Sequence, residues 1–359
     1  MKKNLERAKI QHGQHLRLAV QVAFVVLCLW IGWEFIRFYH TSLDPAVPPT
    51  TRPPGVEGFL PISALMSLWY FLQTGILHPV HPAGMVILVA IILMSLVFKK
   101  AFCSWMCPVG FLSENIGEFG KKLFKRNFVL PVWLDIPLRS LKYLMLGFLI
   151  MVVFFQMTPE ALRAFLDSPY NKVADVKMLL FFARPGATTI YVLTGLALLS
   201  LFVKNFWCRF LCPYGALLGV VGLFSPFRVT RNTSICTDCG KCAKACPSAI
   251  KVDKLKRVWS DECTTCLECI DACPVAKAVE IKAHRKFKGV KPALVMAIVV
   301  LIFLFTTGLG MLTGYWNTSI TPEEYTRRIR EIDKPIYEHN YGYAPPEKPN
   351  SHTVTGDIQ

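Results

Sequence analysis

The sequence predicts an all-α polytopic membrane bundle of about five transmembrane helices, with a polar, cysteine-rich module inserted before the last of them. Three observations carry this reading. Hydrophobic residues make up 53% of the 359-residue chain and charged residues only 18%, too apolar for an ordinary soluble surface. Apolar runs of spanning or near-spanning length recur at about 16–39, 83–98, 141–157, 188–203 and 293–315. The 40 Lys and Arg against 24 Asp and Glu gather in alternate connections between those runs.

Residues 1–17 are basic (Lys2, Lys3, Arg7, Lys9 and Arg17 against Glu6) and lead into the first run, which is too long for a signal peptide and lacks a small-residue cleavage pattern after it. Segment 40–58 is Pro-rich loop. Segment 59–77 is apolar but short, with Pro61 near its start and Gly75 near its end, and reads as surface-lying or re-entrant rather than as a span. The connection 99–142 holds eight basic and three acidic residues, 158–187 four and three, 226–291 fourteen and seven, and 317–359 five and seven. The positive-inside rule therefore puts 1–17, 99–142 and 204–291 in the cytoplasm and 40–82, 158–187 and 317–359 outside. The expected organisation is a membrane bundle over 1–225, a cytoplasmic module over 226–291, a final transmembrane helix over 292–316 and an extracytoplasmic tail over 317–359. The setting is a prokaryotic cytoplasmic (inner) membrane.

Twelve of the thirteen cysteines fall in four groups, with Cys28 alone. The module contains Cys236-x₂-Cys239-x₂-Cys242-x₃-Cys246-Pro247 and then Cys263-x₂-Cys266-x₂-Cys269-x₃-Cys273-Pro274. Zinc also takes four ligands, but these spacings, twice, with Pro after each fourth Cys, are the iron–sulfur form. The module resembles the bacterial two-cluster ferredoxins, in which the fourth Cys of each run serves the other cluster. That resemblance assigns Cys236, Cys239, Cys242 and Cys273 to one [4Fe–4S] cluster and Cys263, Cys266, Cys269 and Cys246 to a second. Residues 249–252 and 257–259 read as a short β pair between the loops. The module's excess of seven positive side chains suits anionic headgroups or an acidic partner, and equally a plain positive-inside loop.

A weak internal repeat lies outside the module: 102–110 reads FCSWMCPVG and 207–215 reads WCRFLCPYG. Each pair, Cys103 with Cys107 and Cys208 with Cys212, has too few thiols for a cube, but together they supply four at the same membrane edge. A third centre, most simply [4Fe–4S], is the expectation; separate redox-active thiol pairs and unliganded buried thiols are the alternatives. Pro108 and Pro213 favour a helix end at each second Cys. Phe111, Leu112, Ile116, Phe119 and Leu123 then recur at the spacing of an amphipathic surface helix.

FCSWMCPVG, WCRFLCPYG and the paired ferredoxin runs make roughly 83–280 similar to the membrane polyferredoxin family. That family includes the NapH-type quinol dehydrogenase subunit, the membrane half of NosR and, more distantly, the oxidase assembly factor CcoG. The resemblance implies an electron-transfer subunit, with quinol dehydrogenase component as its enzymatic form, in a respiratory chain. It would link the quinone pool or a cytoplasmic donor to a membrane or extracytoplasmic redox partner such as a multihaem cytochrome or reductase. An assembly or reductase factor acting on a metal ion or thiol, and a redox-sensing anchor, are the other function classes. A further span and 43-residue tail follow the module, beyond the usual NapH-like pattern.

The remaining residues add little chemistry. No histidine (12, 15, 40, 78, 81, 284, 339, 352) lies in an apolar run and no C-x-x-C-H occurs, so neither bis-His haem nor haem c is expected, and no glycine-rich phosphate loop suggests a flavin. No nucleic-acid partner is expected and no catalytic residue stands out. His78, His81 and Glu160 near the outer edge read as a quinone site or as ordinary loop residues. Glu34 and Arg37 read as a structural pair or as interfacial charges that snorkel. Lys204 and Arg209 flank the second pair and read either as favouring reduced, more negative clusters or as positive-inside anchors. Trp30, Trp33, Trp69, Trp105, Trp133, Trp207 and Trp316 read as an aromatic belt. Segment 321–339, with Tyr325, Ile329, Ile332 and Ile336 on one face, reads as an amphipathic helix that docks a partner.

Overall fold

The computed structural model describes residues 13–48, 50–125, 128, 130–284 and 287–339. Lys2, Lys3, Arg7, Lys9, His12 and the tail beyond 339, with His352, lie outside the described residues.

Helix α1 (Gly13–Leu43) runs the length of the molecule. Helix α2 (Pro61–Thr74) starts on a proline at its first turn and stops at Gly75, whose φ of 71° closes the helix with its N–H on the Phe71 carbonyl. Its 14 residues rise about 21 Å, short of a membrane crossing. Helix α3 (Pro82–Phe98) is apolar and mostly buried at the centre of the bundle, with Leu93 and Leu96 exposed. After a break at Lys99 (φ 57°) come the short α4 (Ala101–Trp105) and α5 (Pro108–Phe124). Helix α6 (Val132–Ile150) continues as a wide π turn, Met151–Gln156. Helices α7 (Pro159–Leu166), α8 (Pro169–Lys172) and α9 (Ala174–Ala183) cross one end, and α10 (Ala187–Phe202) returns at 76° to α9. Helix α11 (Pro213–Gly222) leads into the module: β1 (Arg228–Arg231), α12 (Lys241–Ala245), α13 (Glu268–Asp271) and β2 (Val279–Lys282). Helices α14 (Pro292–Leu312) and α15 (Pro322–Arg330) follow.

All five apolar runs are helical. Three helices, α1, α6 with its π turn, and α14, meet the length and apolarity needed to cross a membrane, and bent α9–α10 makes a fourth if taken as one span. Helix α3, at 17 residues, is shorter and packs against α2, α11 and α14. Leu29, Trp30, Phe148, Tyr191 and Phe305 remain exposed on the outer helices, as a lipid-facing surface requires.

The module does not stand apart. One hydrophobic core joins Ile91, Met94 and Phe98 of α3, Leu218 of α11 and Val295 and Val299 of α14 to Val229, Val258, Leu267, Ile270 and Ile281 of the module. Its β pair differs from the expectation. β1 pairs antiparallel with β2, Val229 opposite Ile281, so the strands come from the two ends of the module. Residues Val252–Lys254 instead form a 3₁₀ turn, and of the predicted second strand Arg257 makes a single bridge to Thr230.

Two further expectations are corrected. Segment 321–339 does contain a helix, but its apolar face is used within the chain. Tyr325, Ile329 and Ile332 pack on Phe35, Phe38, Val56 and Val176, with the Phe38 and Tyr325 rings 5.5 Å apart edge to face. It therefore offers no apolar docking stripe. Trp105 is fully buried and donates Nε1–H to the Thr265 carbonyl at 3.0 Å, so it clamps the module to the bundle rather than joining a belt; Trp30, Trp33 and Trp133 are exposed. Glu34 and Arg37 do pair, at 3.1 Å.

Candidate iron–sulfur centres

The FCSWMCPVG and WCRFLCPYG segments fold into the same local device. Cys107 N–H bonds the Phe102 carbonyl and Cys212 N–H the Trp207 carbonyl, both five residues back, at 2.9 and 3.0 Å. Each second cysteine is extended and N-caps the following helix, with Pro at the first helical position. The Gly110 N–H points at Cys107 Sγ (3.4 Å) and the Gly215 N–H at Cys212 Sγ (3.3 Å). The prolines thus start α5 and α11 rather than merely ending the turn before. Backbone N–H groups at a helix start favour thiolate.

The two devices face one another. Cys103, Cys107, Cys208 and Cys212 line one cavity of about 240 Å³, with Lys100, Trp207, Arg209 and Tyr214. Burial pushes the Cys103 and Cys208 thiols well up and Cys107 up to about 11, so unliganded they would stay protonated at neutral pH. Binding a metal would reverse that, because ligand thiols are deprotonated outright.

In the module the two runs cross. Cys236, Cys239, Cys242 and Cys273 line one cavity, and Cys246, Cys263, Cys266 and Cys269 line another. Cys239 is exposed and Cys236 half-buried, whereas Cys263, Cys266 and Cys269 are buried against the bundle. Pro247, Ser248 and Thr264 form a wall common to the second module cavity and the membrane-edge cavity. The three groups therefore stand in order, from the module surface inward. Among the described residues no three His, Cys, Asp or Glu donors converge on a point suited to one metal ion. The donor chemistry fits a group larger than an ion: four thiols around a space in each case. Cys28 lies on α1, outside all three groups.

Beside the shared hydrophobic core, polar contacts that were not legible from the motifs fix this order. Ser104 Oγ donates to the Thr264 carbonyl (2.6 Å), Thr265 Oγ1 to the Phe98 carbonyl (2.7 Å) and Lys99 Nζ to the Ser260 carbonyl (2.8 Å). Glu262, one residue before Cys263, lies between Lys142 and Lys100, the latter at 3.2 Å. Burial would raise its carboxyl, but the two ammonium groups hold it down to about 2. Arg17 of α1 bonds Glu114 of α5 at 2.6 Å and reaches Glu268 at 3.6 Å. The cations singled out from sequence are already neutralised, Lys204 by Glu118 (2.6 Å) and Arg209 by Asp135 (2.7 Å). Lys100, three residues before Cys103, also lines the cavity; its place just ahead of the motif was the available signal.

Apolar Leu112, Phe119 and Leu123 of the predicted surface helix face outward, while Gly120 packs on Leu201 of α10 and Gly117 on Lys204 just beyond it. At the far end His78 approaches Asp167 (3.3 Å), and His81 sits between the Asn171 carbonyl (2.7 Å) and Glu57 (3.4 Å). Both histidines are buried in structural contacts, and neither lines the cysteine cavity. Glu160 lies in the first turn of α7.

A 4Fe-4S binding domain family matches residues 80–127 and 186–232, the two halves of the repeat, and a 4Fe-4S dicluster domain family matches 228–274. A candidate electron transport protein of Escherichia coli K12, YccM, is 47% identical over 321 residues, 87% of this chain and 89% of its own length. The chain belongs to the membrane polyferredoxin family. The regulatory protein NosR of Pseudomonas aeruginosa is 30% identical over 149 residues, 41% of this polyferredoxin and 20% of NosR. The methylamine utilization ferredoxin-type protein MauN of Methylobacillus flagellatus is 26% identical over 239 residues, 64% of this chain and 74% of its own. No solved structure matches. This polyferredoxin is thus a membrane electron transport protein with 4Fe-4S domains.

Proposed function

We propose that this polyferredoxin carries electrons between its module surface and the membrane interior through three [4Fe–4S] stations. The ligand sets are Cys236, Cys239, Cys242 and Cys273; Cys263, Cys266, Cys269 and Cys246; and Cys103, Cys107, Cys208 and Cys212. When bound, such clusters supply one-electron storage without bond making. The chain's own residues set the spacing: Ser104, Trp105, Thr265 and Lys99 fix the module on the bundle, and Pro247, Ser248 and Thr264 separate the second station from the third.

The observation that carries the reading is the extent of the membrane-edge cavity. From the four cysteines it continues past Phe102 and Ile91 of the central helix to Gly58, Phe59 and Pro61, where α2 begins. Gly58, Phe59 and Pro61 are exposed apolar residues, an end that would suit the ring of a lipid-soluble quinone. The basic connections support a cytoplasmic position for the module. A redox subunit beyond the membrane would be the partner. A thiol- or metal-reducing factor is disfavoured, because burial raises the Cys103, Cys107 and Cys208 thiols when reactivity needs exposed, low-pKa sulfur.

Anaerobically purified protein mixed with a menaquinol analogue in a stopped-flow instrument tests this. Bleaching of the iron–sulfur absorption by quinol, or reoxidation of reduced protein by the quinone, is expected. Clusters that respond only to dithionite would refute the quinone role.

A further inference from the structure

Beside the first module station lies a recess of about 300 Å³ with a different character from the cysteine cavities. Arg231, Lys256, Lys277 and Lys282 surround it, and Thr230, Asn232 and Thr233 contribute hydroxyl and amide groups. Arg231 and Lys282 are engaged by Asp238 (2.5 Å) and Glu280 (2.9 Å). Lys256 and Lys277 are exposed, and among the described residues neither has a carboxylate partner. The recess is tied directly to the cysteines: Arg231 Nη1 lies 3.5 Å from Cys236 Sγ.

This placement matters because of where an electron can leave or arrive. Cys239 is the exposed thiol of the module and Cys236 beside it is half-buried, whereas Cys263, Cys266 and Cys269 of the second group are buried. An outside redox protein must therefore approach the Cys236–Cys239 edge, where it meets unpaired positive charge and polar hydrogen-bond donors. Steering by such charge raises encounter rates and falls off with salt.

We propose that this recess docks the carboxylate-rich face of an acidic, soluble one-electron carrier, and that the carrier exchanges electrons with the module at the Cys236–Cys239 edge. The inference rests on the electron-transfer reading above and names the partner of that site. The step is a single outer-sphere electron transfer: the carrier loses one electron, the module station gains it, and no bond or proton moves.

The test mixes oxidised full-length protein in detergent with a reduced acidic two-cluster ferredoxin, and separately with reduced methyl viologen, for the wild type and for a Lys256→Glu/Lys277→Glu variant. Both side chains are exposed, and cluster absorption checks that the variant is intact. With the ferredoxin, the wild-type second-order rate should fall as salt rises, and the variant should be about tenfold slower at low salt. With methyl viologen, a small cation, the variant should be no slower than wild type. Equal ferredoxin rates for the two proteins, or wild-type reduction by viologen but never by ferredoxin, would overturn the docking role and leave electron transfer standing. Reduction by neither would sink the electron-transfer reading and this one with it. Repeating the comparison in nanodiscs with and without phosphatidylglycerol excludes a lipid site: charge effects seen only with the anionic lipid would assign the recess to headgroups and overturn the proposal.

Discussion

Lys100 Nζ lies 3.2 Å from Glu262 Oε2 in the buried wall between the second and third cysteine groups, and Lys142 approaches the other oxygen of the same carboxylate. One acid thus joins α6, the loop before α4 and the module. Removing it would leave two buried ammonium groups without a counter-charge. Glu262→Gln should therefore cost about 3 kcal/mol or more, read as a lower unfolding midpoint in detergent.

The same carboxylate sets a pH window. Its folded pKa of about 2 lies below the usual value near ~4.3 for an unfolded Glu, so its stabilisation is fully present above about pH 4.5. It is lost as the pH falls toward 2. Unfolding midpoints of wild type and Glu262→Gln should run parallel from pH 6 to 8 and converge in acid. A difference that persists unchanged to pH 2.5 would contradict the ion-pair account.

The membrane-edge cysteines give a count. Fully loaded protein should hold about twelve irons, and Cys107→Ser should lose about four of them while retaining the module's signals in EPR. Cys28→Ser, outside every cysteine group, should keep the full complement. Wild-type protein with about eight irons would mean that the four membrane-edge thiols hold no cube.

At the far end Arg52 donates to Asp175 (2.6 Å) and Glu57 (2.8 Å), all three buried, and the Tyr325 hydroxyl donates to Asp175 at 2.8 Å. This network ties the loop before α2 to α9 and α15. Tyr325→Phe should cost about 1.5–3 kcal/mol, the worth of a hydrogen bond to a charged group. Arg52→Ala should cost more, because two buried carboxylates lose their cation. Thermal unfolding of the two variants in one detergent orders them.

What the sequence made legible divides along physical lines. Cysteine spacing is chemistry written locally: the four groups were legible in it, the ferredoxin resemblance supplied the crossed sets, and the structure finds each expected set of four lining one cavity. Apolar runs mark helices wherever packing continues them, which is why all five appear. The misreadings share a different cause. The β pair, the inward face of α15 and the burial of Trp105 all depend on which distant segment arrives alongside, and an amphipathic pattern does not say whether its partner is lipid, another protein or its own chain. The Lys100–Glu262–Lys142 cluster was hidden for the same reason: its members are 162 and 120 residues apart.

The repeat itself offers a discriminating test, because its two halves are alike in hydrogen bonding but not in space. A Cβ added at Gly110 would stand 2.3 Å from the Cys103 carbonyl oxygen, a contact the backbone must move to relieve. At Gly215 the equivalent Cβ would lie 3.5 Å from the Cys208 carbonyl, an ordinary van der Waals distance. Gly110→Ala should thus displace Cys103 or Cys107 at a cost of about 1–3 kcal/mol and lower the iron content by up to about four atoms per chain. Gly215→Ala should load iron normally. Were the two substitutions equally harmful, the requirement for glycine would come from the shared cap geometry. Were both harmless, the close approach of α5 to Cys103 would not constrain the site.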